Sequence, residues 1–412
     1  MAYVIIGNGV AGVHAAETIR RLDPDGEITL IGDETFPPYC RPMISLVLEG
    51  AAGPDALPIR GDRFYDDLSI TPVLGARVDA IDVGNRTVSV ENGDVVPFDK
   101  LLIASGADPR PIKADGLDLK NIFYMRTEAH VRAMLDVLPK AKKALVLGGG
   151  LVGFKAAYGL LRRGIHVTML IRSGHPLSLQ VDRTAGEMVR DELTSRGLDV
   201  RVGAAAEAFE GRGRVERAIL SDGSTLPCDM VVIGKGVLPA LSFVPRHRIA
   251  VDLGILVDAH QETGVEGIYA AGDVAEAADI ARKSRWVNAI WPEAVDQGRI
   301  AGMNMAGRSV AHPGSLSRNV IRIFDMDVMT GGVATPETDS VYETVSRLDP
   351  NRARYRKLVF RGDRLVGFVL VNAIEQGGVL LSLVRGQNPI AVSRERLLSS
   401  SFNWSELLPR RG

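Results

Sequence analysis

The chain contains the same glycine pattern twice, and this duplication constrains its fold more than any other feature. Residues 3–12 read YVIIGNGVAG and residues 144–153 read ALVLGGGLVG. In both, an apolar run predicted as a β-strand meets Gly-x-Gly-x-x-Gly and enters an Ala-rich, helix-favouring segment. A second apolar run follows each of them, at residues 27–31 and 166–171. Each half therefore predicts the opening β-α-β unit of a dinucleotide-binding fold.

The first glycine turn has the chemistry that a dinucleotide pyrophosphate needs. Gly7 permits the tight turn, Gly9 lets the backbone approach the pyrophosphate, and Gly12 lets the helix pack closely on the strand. The N-terminus of the helix then faces the anion. Asp33 follows Gly12 at about the 20-residue spacing expected of the acid that binds the ribose, and Glu34 is the neighbouring alternative.

The rest of the chain predicts further strands around these two units. Residues 78–96 alternate apolar and polar side chains with turn signals, which predicts an antiparallel meander. Apolar strands at residues 101–104 and 230–233 run into glycine-containing turns, which we interpret as crossings between domains. Residues 294–306 have helical spacing. From about residue 315 the pattern changes to alternating strands with one helix, which predicts a separate α+β domain.

Composition and charge exclude several classes of function. The 49 basic and 50 acidic residues leave no basic excess for a nucleic-acid partner. Two cysteines, Cys40 and Cys228, cannot build a disulfide framework or a cysteine-ligated metal centre, and the seven histidines show no metal-binding spacing. Because the chain opens on a strand and no apolar run reaches about 20 residues, we expect no signal peptide, no membrane span and a cytoplasmic protein.

In their order, these motifs resemble those of the FAD-dependent pyridine nucleotide oxidoreductases, flavoproteins with two dinucleotide-binding domains. Within that family the chain is similar to rubredoxin and ferredoxin reductases, the flavin region of assimilatory nitrite reductase and apoptosis-inducing factor. The resemblance implies an α/β chain with two Rossmann-like domains, the second inserted in the first. It places an FAD domain at 1–112 and 240–314, an NAD(P) domain at 113–239, and an α+β interface domain at 315–412.

The resemblance also implies the roles of individual residues. Arg41 matches an arginine that neutralises the FAD phosphates, and Val78 matches a backbone contact to adenine. Asp273 matches the acid that binds a ribitol hydroxyl at a helix start, and Ile290 and Trp291 match positions along the isoalloxazine. The FAD set is Gly7, Gly9, Val10, Ala11, Gly12, Asp33, Glu34, Arg41, Val78, Ala104, Ser105, Gly106, Gly272, Asp273, Ile290 and Trp291. The NAD(P) set is Gly148, Gly150, Leu151, Val152, Gly153, Arg172 and Gly234. No residue is assigned to a metal.

Two departures from the family pattern bear on the chemistry. Lys155 stands where the family usually has a glutamate beside the flavin and nicotinamide. A cation there either stabilises an anionic reduced flavin or is a solvated helix residue. Ile171 stands where an acid usually binds the NAD ribose, and Arg172 resembles the arginine that binds the 2′-phosphate of NADPH in glutathione reductases. The second cofactor is therefore NAD(H) or NADP(H).

Cys40 allows a different reaction. In single-cysteine relatives, such as NADH oxidases and coenzyme A disulfide reductases, a redox cysteine sits near this place. Cys40 is followed by Arg41-Pro42, the ferredoxin-reductase pattern, which favours an inert cysteine. The chain has neither C-x-x-C nor C-x-x-x-x-C, which excludes the glutathione and thioredoxin reductase classes.

These observations leave three functions open. The leading hypothesis is an FAD enzyme that exchanges hydride with NAD(P)H and passes electrons to an iron-sulfur or other redox protein or partner subunit. The second is a Cys40-dependent reductase of disulfide, persulfide, peroxide or oxygen. The third is a flavin-holding scaffold subunit with little NAD(P)H turnover. The oligomeric expectation is a homodimer or a hetero-oligomeric complex, with the C-terminal domain making the contact.

Overall fold

Up to residue 305 the chain combines short strands with seven α-helices among the described residues, and beyond it is largely strand. The structure is a computed structural model and describes residues 1–337, 341–399 and 401–407. The first elements are β1 (Ala2–Ile6), α1 (Val10–Leu22), β2 (Glu27–Gly32), α2 (Ile44–Glu49), α3 (Phe64–Asp67), β3 (Ile70–Leu74), β4 (Val78–Asp82), β5 (Thr87–Val90), β6 (Val95–Pro97), β7 (Lys100–Ile103) and β8 (Ala107–Pro109).

The middle of the chain contains the second glycine turn. Its elements are β9 (Ile122–Tyr124), α4 (Glu128–Val137), β10 (Lys143–Leu147), α5 (Leu151–Arg162), β11 (His166–Ile171), α6 (Arg183–Ser195), β12 (Asp199–Val202), β13 (Ala206–Glu210), β14 (Arg217–Leu220), β15 (Thr225–Pro227), β16 (Met230–Ile233) and β17 (Val237–Pro239).

The last part of the chain first returns to the first sheet and then forms a new one. Its elements are β18 (Ile255–Leu256), β19 (Ile268–Ala270), β20 (Ala275–Ala278), β21 (Arg285–Trp286), α7 (Trp291–Met305), β22 (Arg318–Ile323), β23 (Met326–Gly332), β24 (Tyr342–Asp349), β25 (Arg354–Arg361), β26 (Arg364–Val371), α8 (Gly377–Gly386) and α9 (Arg394–Leu398). Short 3₁₀ turns lie at Arg41–Met43, Pro54–Ala56, Leu138–Lys140, Pro350–Arg352, Ile374–Gln376 and Trp404–Leu407.

Two five-stranded parallel sheets carry the two glycine turns. The first has the order β19-β7-β1-β2-β3 and the second β12-β11-β10-β16-β9. In both, the strand that precedes the glycines has a neighbour on each side, and it is apolar because the interior of a parallel sheet is covered on both faces. The predicted α/β class with two Rossmann-like units is confirmed.

The meander forms as predicted, and the two segments interpreted as domain crossings contain strands that pair with each other. β4, β5 and β6 make an antiparallel three-stranded sheet. β8 leaves the first unit and pairs antiparallel with β17, which leaves the second. This two-stranded ribbon stands where the sequence predicts the domain crossings, although the predicted limits at 112/113, 239/240 and 314/315 stay predictions.

The C-terminal part is an antiparallel sheet of order β22-β23-β26-β25-β24, on which α8 packs. Phe368, Leu380 and Val384 lie in its buried core. The sequence predicts the α+β pattern here but not β24, whose side chains are largely exposed and therefore carry a weak apolar signal. The last residues of the predicted third domain, 408–412, lie outside the described residues.

Close packing of α1 against α7 sets the position of the N-terminus of α7 relative to the first glycine turn. A Cβ on Gly298 would overlap the backbone carbonyl of Ala11, and one on Gly302 would come within 2.7 Å of the carbonyl oxygen of Ala15. The two helices can approach this closely because the α7 contact residues have no side chain. The N-terminus of α7, which begins at Trp291, is thereby fixed relative to the first glycine turn.

Candidate functional site

The two glycine turns have matching geometry. The first glycine of each, Gly7 and Gly148, has a positive φ of 119° and 109°. The third, Gly12 or Gly153, lies against the carbonyl of the first, so any Cβ there would overlap backbone. The middle glycine differs: a Cβ on Gly9 would meet nothing within 4 Å. The protein's own packing does not require glycine there, which fits a backbone surface kept open for a pyrophosphate.

The helices that follow these turns present open N-termini. α1 begins after Gly9 and α5 after Gly150, and neither has a side-chain cap or an acidic residue in its first turn. Unpaired backbone N–H groups and the helix dipole make such an end favourable for an anion. Both turns can therefore hold a phosphate group of a dinucleotide.

A cavity of about 870 Å³ extends from the first glycine turn to α5 and α7. Most of the residues that the sequence assigns to FAD line it. They are Gly7, Gly9, Val10, Ala11, Asp33, Glu34, Arg41, Ala104, Ser105, Gly106, Gly272, Asp273 and Trp291. Leu151, Val152 and Lys155 of α5 line the same cavity, so the two predicted sites meet in it.

Some assigned residues lie outside the lining of this cavity. Gly12 lies beneath the turn, against Gly7, where its packing role places it. Val78 begins β4, next to the cavity residue Arg77, and Ile290 is the N-cap of α7, next to Trp291. Gly148, Gly150, Gly153, Arg172 and Gly234 belong to the second turn and its flanks and do not line it.

The two acids that could bind the ribose differ in exposure and in hydrogen bonding. Asp33 is exposed on the cavity wall. The carboxylate of Glu34 accepts from Arg41 at 2.7 Å and from the Tyr39 hydroxyl at 2.9 Å. Burial raises the pKa of Tyr39, so its hydroxyl stays a donor. Asp33 is therefore the acid better able to accept sugar hydroxyls, and Glu34 orients Arg41.

Asp273 is held by a residue that the sequence did not single out. Arg126 pairs with Asp273 at 3.0 Å and also donates to the carbonyl of Ala107 at 2.8 Å. Its only sequence signal is its place just after β9, where the chain turns back toward the first unit. The N–H of Gly272 donates to the side chain of Gln297, buried in α7, at 2.8 Å.

The expected helix start at Asp273 is wrong. Asp273 lies in a turn that leads into β20, and the preceding Gly272 has φ 82°. The left-handed backbone at Gly272 turns the chain soon after β19 ends, and no helix begins at Asp273. The carboxylate nevertheless lines the cavity, as the assignment to a sugar hydroxyl requires.

Lys155 lines the α5 end of the cavity, and its charge interacts with Cys40, which lies between the lining residues Tyr39 and Arg41. Burial lowers the pKa of Lys155, and the charge of Cys40 opposes that shift. Burial raises the pKa of Cys40, while the N–H of Met43 and the charge of Lys155 oppose the change. Lys155 is half-buried in the cavity wall, so the alternative of a fully solvated helix residue does not describe its position. Cys40 favours the thiol form, which is the less reactive one.

A buried charged cluster supports the N-terminus of α7. Glu293 is 2% exposed, pairs with Arg318 at 2.9 Å and lies 3.8 Å from His312. Burial raises the pKa of Glu293. Arg318 directly precedes Asn319 and Val320, which line the cavity, so the cluster joins α7 to the C-terminal sheet behind Trp291. No sequence pattern points to this cluster, since its members are far apart along the chain.

Neither a metal-binding cluster nor a membrane-spanning helix is present among the described residues. In that part of the chain, no group of three or more His, Cys, Asp or Glu side chains is arranged to hold a metal ion. Likewise, none of its helices has both the length and the apolar character that crossing a membrane requires.

Comparison with known proteins gives one family match. The model of the family described as pyridine nucleotide-disulphide oxidoreductase matches residues 1–298. A curated relative, the NADH-dependent phenylglyoxylate dehydrogenase subunit epsilon of Aromatoleum evansii, is 29% identical over 402 residues, which is 97% of this chain and 94% of that protein. The ferredoxin-NAD(+) reductase component of the biphenyl dioxygenase system of Paraburkholderia xenovorans is 34% identical over 66% of each chain.

Solved structures and longer relatives complete the comparison. The ferredoxin reductase for the CYP199A2 system of Rhodopseudomonas palustris has a TM-score of 0.87 and 25% identity, with 98% of both chains covered. The chain spans about half the length of nitrite reductase [NAD(P)H] of Bacillus subtilis, which it matches at 29% identity over 94% of its own residues and 48% of that protein.

Proposed function

Because the chain belongs to the pyridine nucleotide-disulphide oxidoreductase family, we propose that it carries electrons between NAD(P)H and a separate one-electron redox protein through bound FAD. The chain is an oxidoreductase whose cofactors are FAD and a pyridine nucleotide. The observation that carries the proposal is the shared cavity. It joins the first glycine turn to Trp291 on α7 and to Lys155 on α5, where the second nucleotide site begins.

The residues around the first turn fit FAD. The open backbone at Gly9 and the uncapped N-terminus of α1 suit its pyrophosphate. Arg41 adds a permanent positive charge that Glu34 orients, and Asp33 is available to the ribose. Asp273, fixed by Arg126, offers a carboxylate to the ribitol chain. When bound, the flavin supplies a redox group that accepts two electrons together and releases them one at a time.

Where the two nucleotide sites share the cavity, the lining residues determine the local charge. Lys155 places an ammonium group on the cavity wall, where a negative charge on the reduced cofactor would be stabilised. Trp291 lines the cavity at the N-terminus of α7, which the pair of Glu293 and Arg318 anchors to the C-terminal sheet. Gly150 and the uncapped N-terminus of α5 would hold the pyrophosphate of the pyridine nucleotide.

A separate electron acceptor is part of the proposal. With two cysteines in all, the chain cannot ligate a cysteine-bound iron-sulfur cluster of its own. We therefore place the one-electron centre in another protein or subunit. The names of the relatives support this: one is a reductase of a ferredoxin and another is a subunit of a dehydrogenase. We propose an iron-sulfur or similar redox partner, met through the 315–412 domain, either as a mobile carrier or within a larger complex.

The proposed transfer is tested by coupled reduction of a carrier. The FAD-loaded protein is supplied with NADH or NADPH under argon, and the visible absorbance of added [2Fe–2S] ferredoxin or rubredoxin is followed. We expect reduction of at least one carrier at a rate that depends on protein concentration. Continued oxidation of the nucleotide with an added disulfide, but without reduction of either carrier, would contradict the proposal.

The Cys40 alternative has one observation in its favour, the nearby positive charge of Lys155. Under that reading Cys40→Ser abolishes turnover with every acceptor, because the thiol is part of the reaction. Under the carrier proposal Cys40→Ser keeps its carrier reduction within about twofold of wild type. Cys228→Ser, in a buried position away from the cavity, is the matched control.

A further inference from the structure

The segment that follows β11, residues 173–182, folds back onto the second glycine turn. The N–H of Leu177 donates to the carbonyl of Gly149 at 2.7 Å, and the side chain of Leu177 is fully buried. The carbonyl of Leu177 accepts from the N–H of Val181 at 2.9 Å. The backbone of Leu177 is left-handed, with a φ of 55°. Because this conformation is unfavourable for leucine, the contacts around the 173–182 segment must hold it.

The Leu177 hydrogen bond acts directly on the glycine turn. In a trans peptide the C=O of one residue and the N–H of the next point in opposite directions. The contact at the Gly149 carbonyl therefore fixes the orientation of the peptide between Gly149 and Gly150. Gly150 is the N-cap of α5, where unpaired N–H groups are available to a phosphate group.

The C-terminal sheet holds the far end of the 173–182 segment. The carboxylate of Asp182 accepts from the Tyr355 hydroxyl of β25 at 2.7 Å and lies 3.2 Å from the ammonium group of Lys357. Tyr355 is 3% exposed and Lys357 is 8% exposed. Burial and the neighbouring Asp182 raise the pKa of Tyr355, so its hydroxyl stays a donor. The Thr335 hydroxyl adds a longer contact, to the carbonyl of Leu179 at 3.4 Å.

Buried packing connects the two ends of the segment. Leu177, Val181 and Tyr355 belong to one apolar cluster. Because such interiors are close-packed, a displacement at Asp182 is transmitted to Leu177. A buried ammonium group without its carboxylate is costly, so Lys357 favours the arrangement in which Asp182 meets it.

We propose that Asp182 is a positioning residue for the pyridine nucleotide. Held by Tyr355 and Lys357, it keeps the 173–182 segment on the glycine turn and the Gly149–Gly150 peptide in its binding orientation. The inference rests on the proposed function in one respect, that the second glycine turn binds the nucleotide. The C-terminal sheet then contributes to nucleotide affinity through Asp182.

The test measures nucleotide binding without electron transfer. The oxidised, FAD-loaded protein is titrated calorimetrically with NAD⁺ and with NADP⁺. We expect Asp182→Asn to raise the dissociation constant of the better-bound nucleotide about fivefold or more, because charge-assisted contacts are lost. Asparagine is also a good N-cap, so the start of α6 is kept. Tyr355→Phe keeps the ion pair and the ring, and it should raise the constant about threefold.

A second ion pair between the same two parts of the chain is the matched control. Arg196, at the C-terminal end of α6, pairs with Asp325 between β22 and β23 at 2.6 Å. Asp325→Asn removes a carboxylate there and leaves the contacts of the 173–182 segment unchanged. Its nucleotide dissociation constant should stay within about twofold of wild type. Hydrogen–deuterium exchange gives the second readout: the peptide that contains Leu177 should exchange faster in Asp182→Asn but not in Asp325→Asn.

The outcomes separate this inference from the proposed function. An Asp182→Asn protein that exchanges faster at Leu177 but binds the nucleotide like wild type would overturn the inference alone. Unchanged exchange in Asp182→Asn, or an equal loss of affinity in Asp325→Asn, would also overturn it. If Asp182→Asn does not fold, wild-type affinity in Tyr355→Phe has the same meaning. Wild-type protein that holds FAD but binds neither NAD⁺ nor NADP⁺ would overturn the proposed function as well.

Discussion

At the scale of single residues, the site depends on charged groups that other charged groups hold in place. Glu34 orients Arg41, and Arg126 orients Asp273, across segments that are far apart in sequence. Arg41 and Asp273 could be predicted, because each stands in a motif of fixed order. Arg126 could not, because its partner depends on how the second unit turns back on the first.

Loss of Arg41 should release the flavin. In Arg41→Gln the positive charge opposite the FAD phosphates is gone, and we expect the dissociation constant for FAD to rise about tenfold or more. Fluorescence of FAD in the filtrate after dilution and ultrafiltration measures it. Arg63→Gln removes an exposed arginine that forms an ion pair with Asp67, and it should retain FAD like wild type. Equal retention by both variants would show that Arg41 does not contact the cofactor.

The Glu17 carboxylate gives a pH dependence with a definite sign. Hydrogen bonds from His14 and Arg60 outweigh burial and lower the pKa of Glu17 to about 2. Because its pKa is lower in the folded protein, the Glu17 carboxylate stabilises the fold at pH values above its unfolded pKa near 4.5. This stabilisation is lost as the pH falls toward 2. Glu17→Gln should therefore unfold at lower urea concentration than wild type at pH 7, with the difference shrinking below pH 4. An unchanged difference across that range would contradict the assignment.

At the scale of elements, glycine decides how closely α7 can pack on α1. Gly298→Ala places a Cβ against the backbone of Ala11, which cannot move without displacing the first glycine turn. We expect a loss of about 2 kcal/mol or more in the free energy of unfolding, together with weaker FAD binding. Gly378→Ala in α8 is the matched helical control, since its Cβ meets nothing within 4 Å. That variant should be neutral or more stable by up to about 1 kcal/mol. Denaturant unfolding compares the two.

The elements themselves were largely predictable from periodicity. The four strands beside the glycine turns, the meander and the helix after residue 290 all stand where the apolar patterns place them. β24 was missed because an exposed edge strand has little alternation to detect. The helix start at Asp273 was wrong because a Gly-Asp pair fits a turn as well as a cap, and only the tertiary fold decides between them.

At the scale of the whole molecule, the central claim is that one cavity joins two nucleotide sites. The order of motifs along the chain predicted both sites and the family, and the family is confirmed. The meeting of α5 with the first site could not be read from that order, because it depends on how the two sheets face each other. Lys155 lies on α5 of the second unit, and it reaches the first site because it lines the shared cavity.

The meeting of the two nucleotide sites is tested by anaerobic mixing of the FAD-loaded protein with a pyridine nucleotide. Flavin absorbance is recorded after adding NADPH and, in a separate sample, NADH. We expect a stoichiometric amount of at least one nucleotide to bleach the flavin. If neither nucleotide changes the absorbance of protein that demonstrably holds FAD, the two sites do not exchange electrons and the account is contradicted.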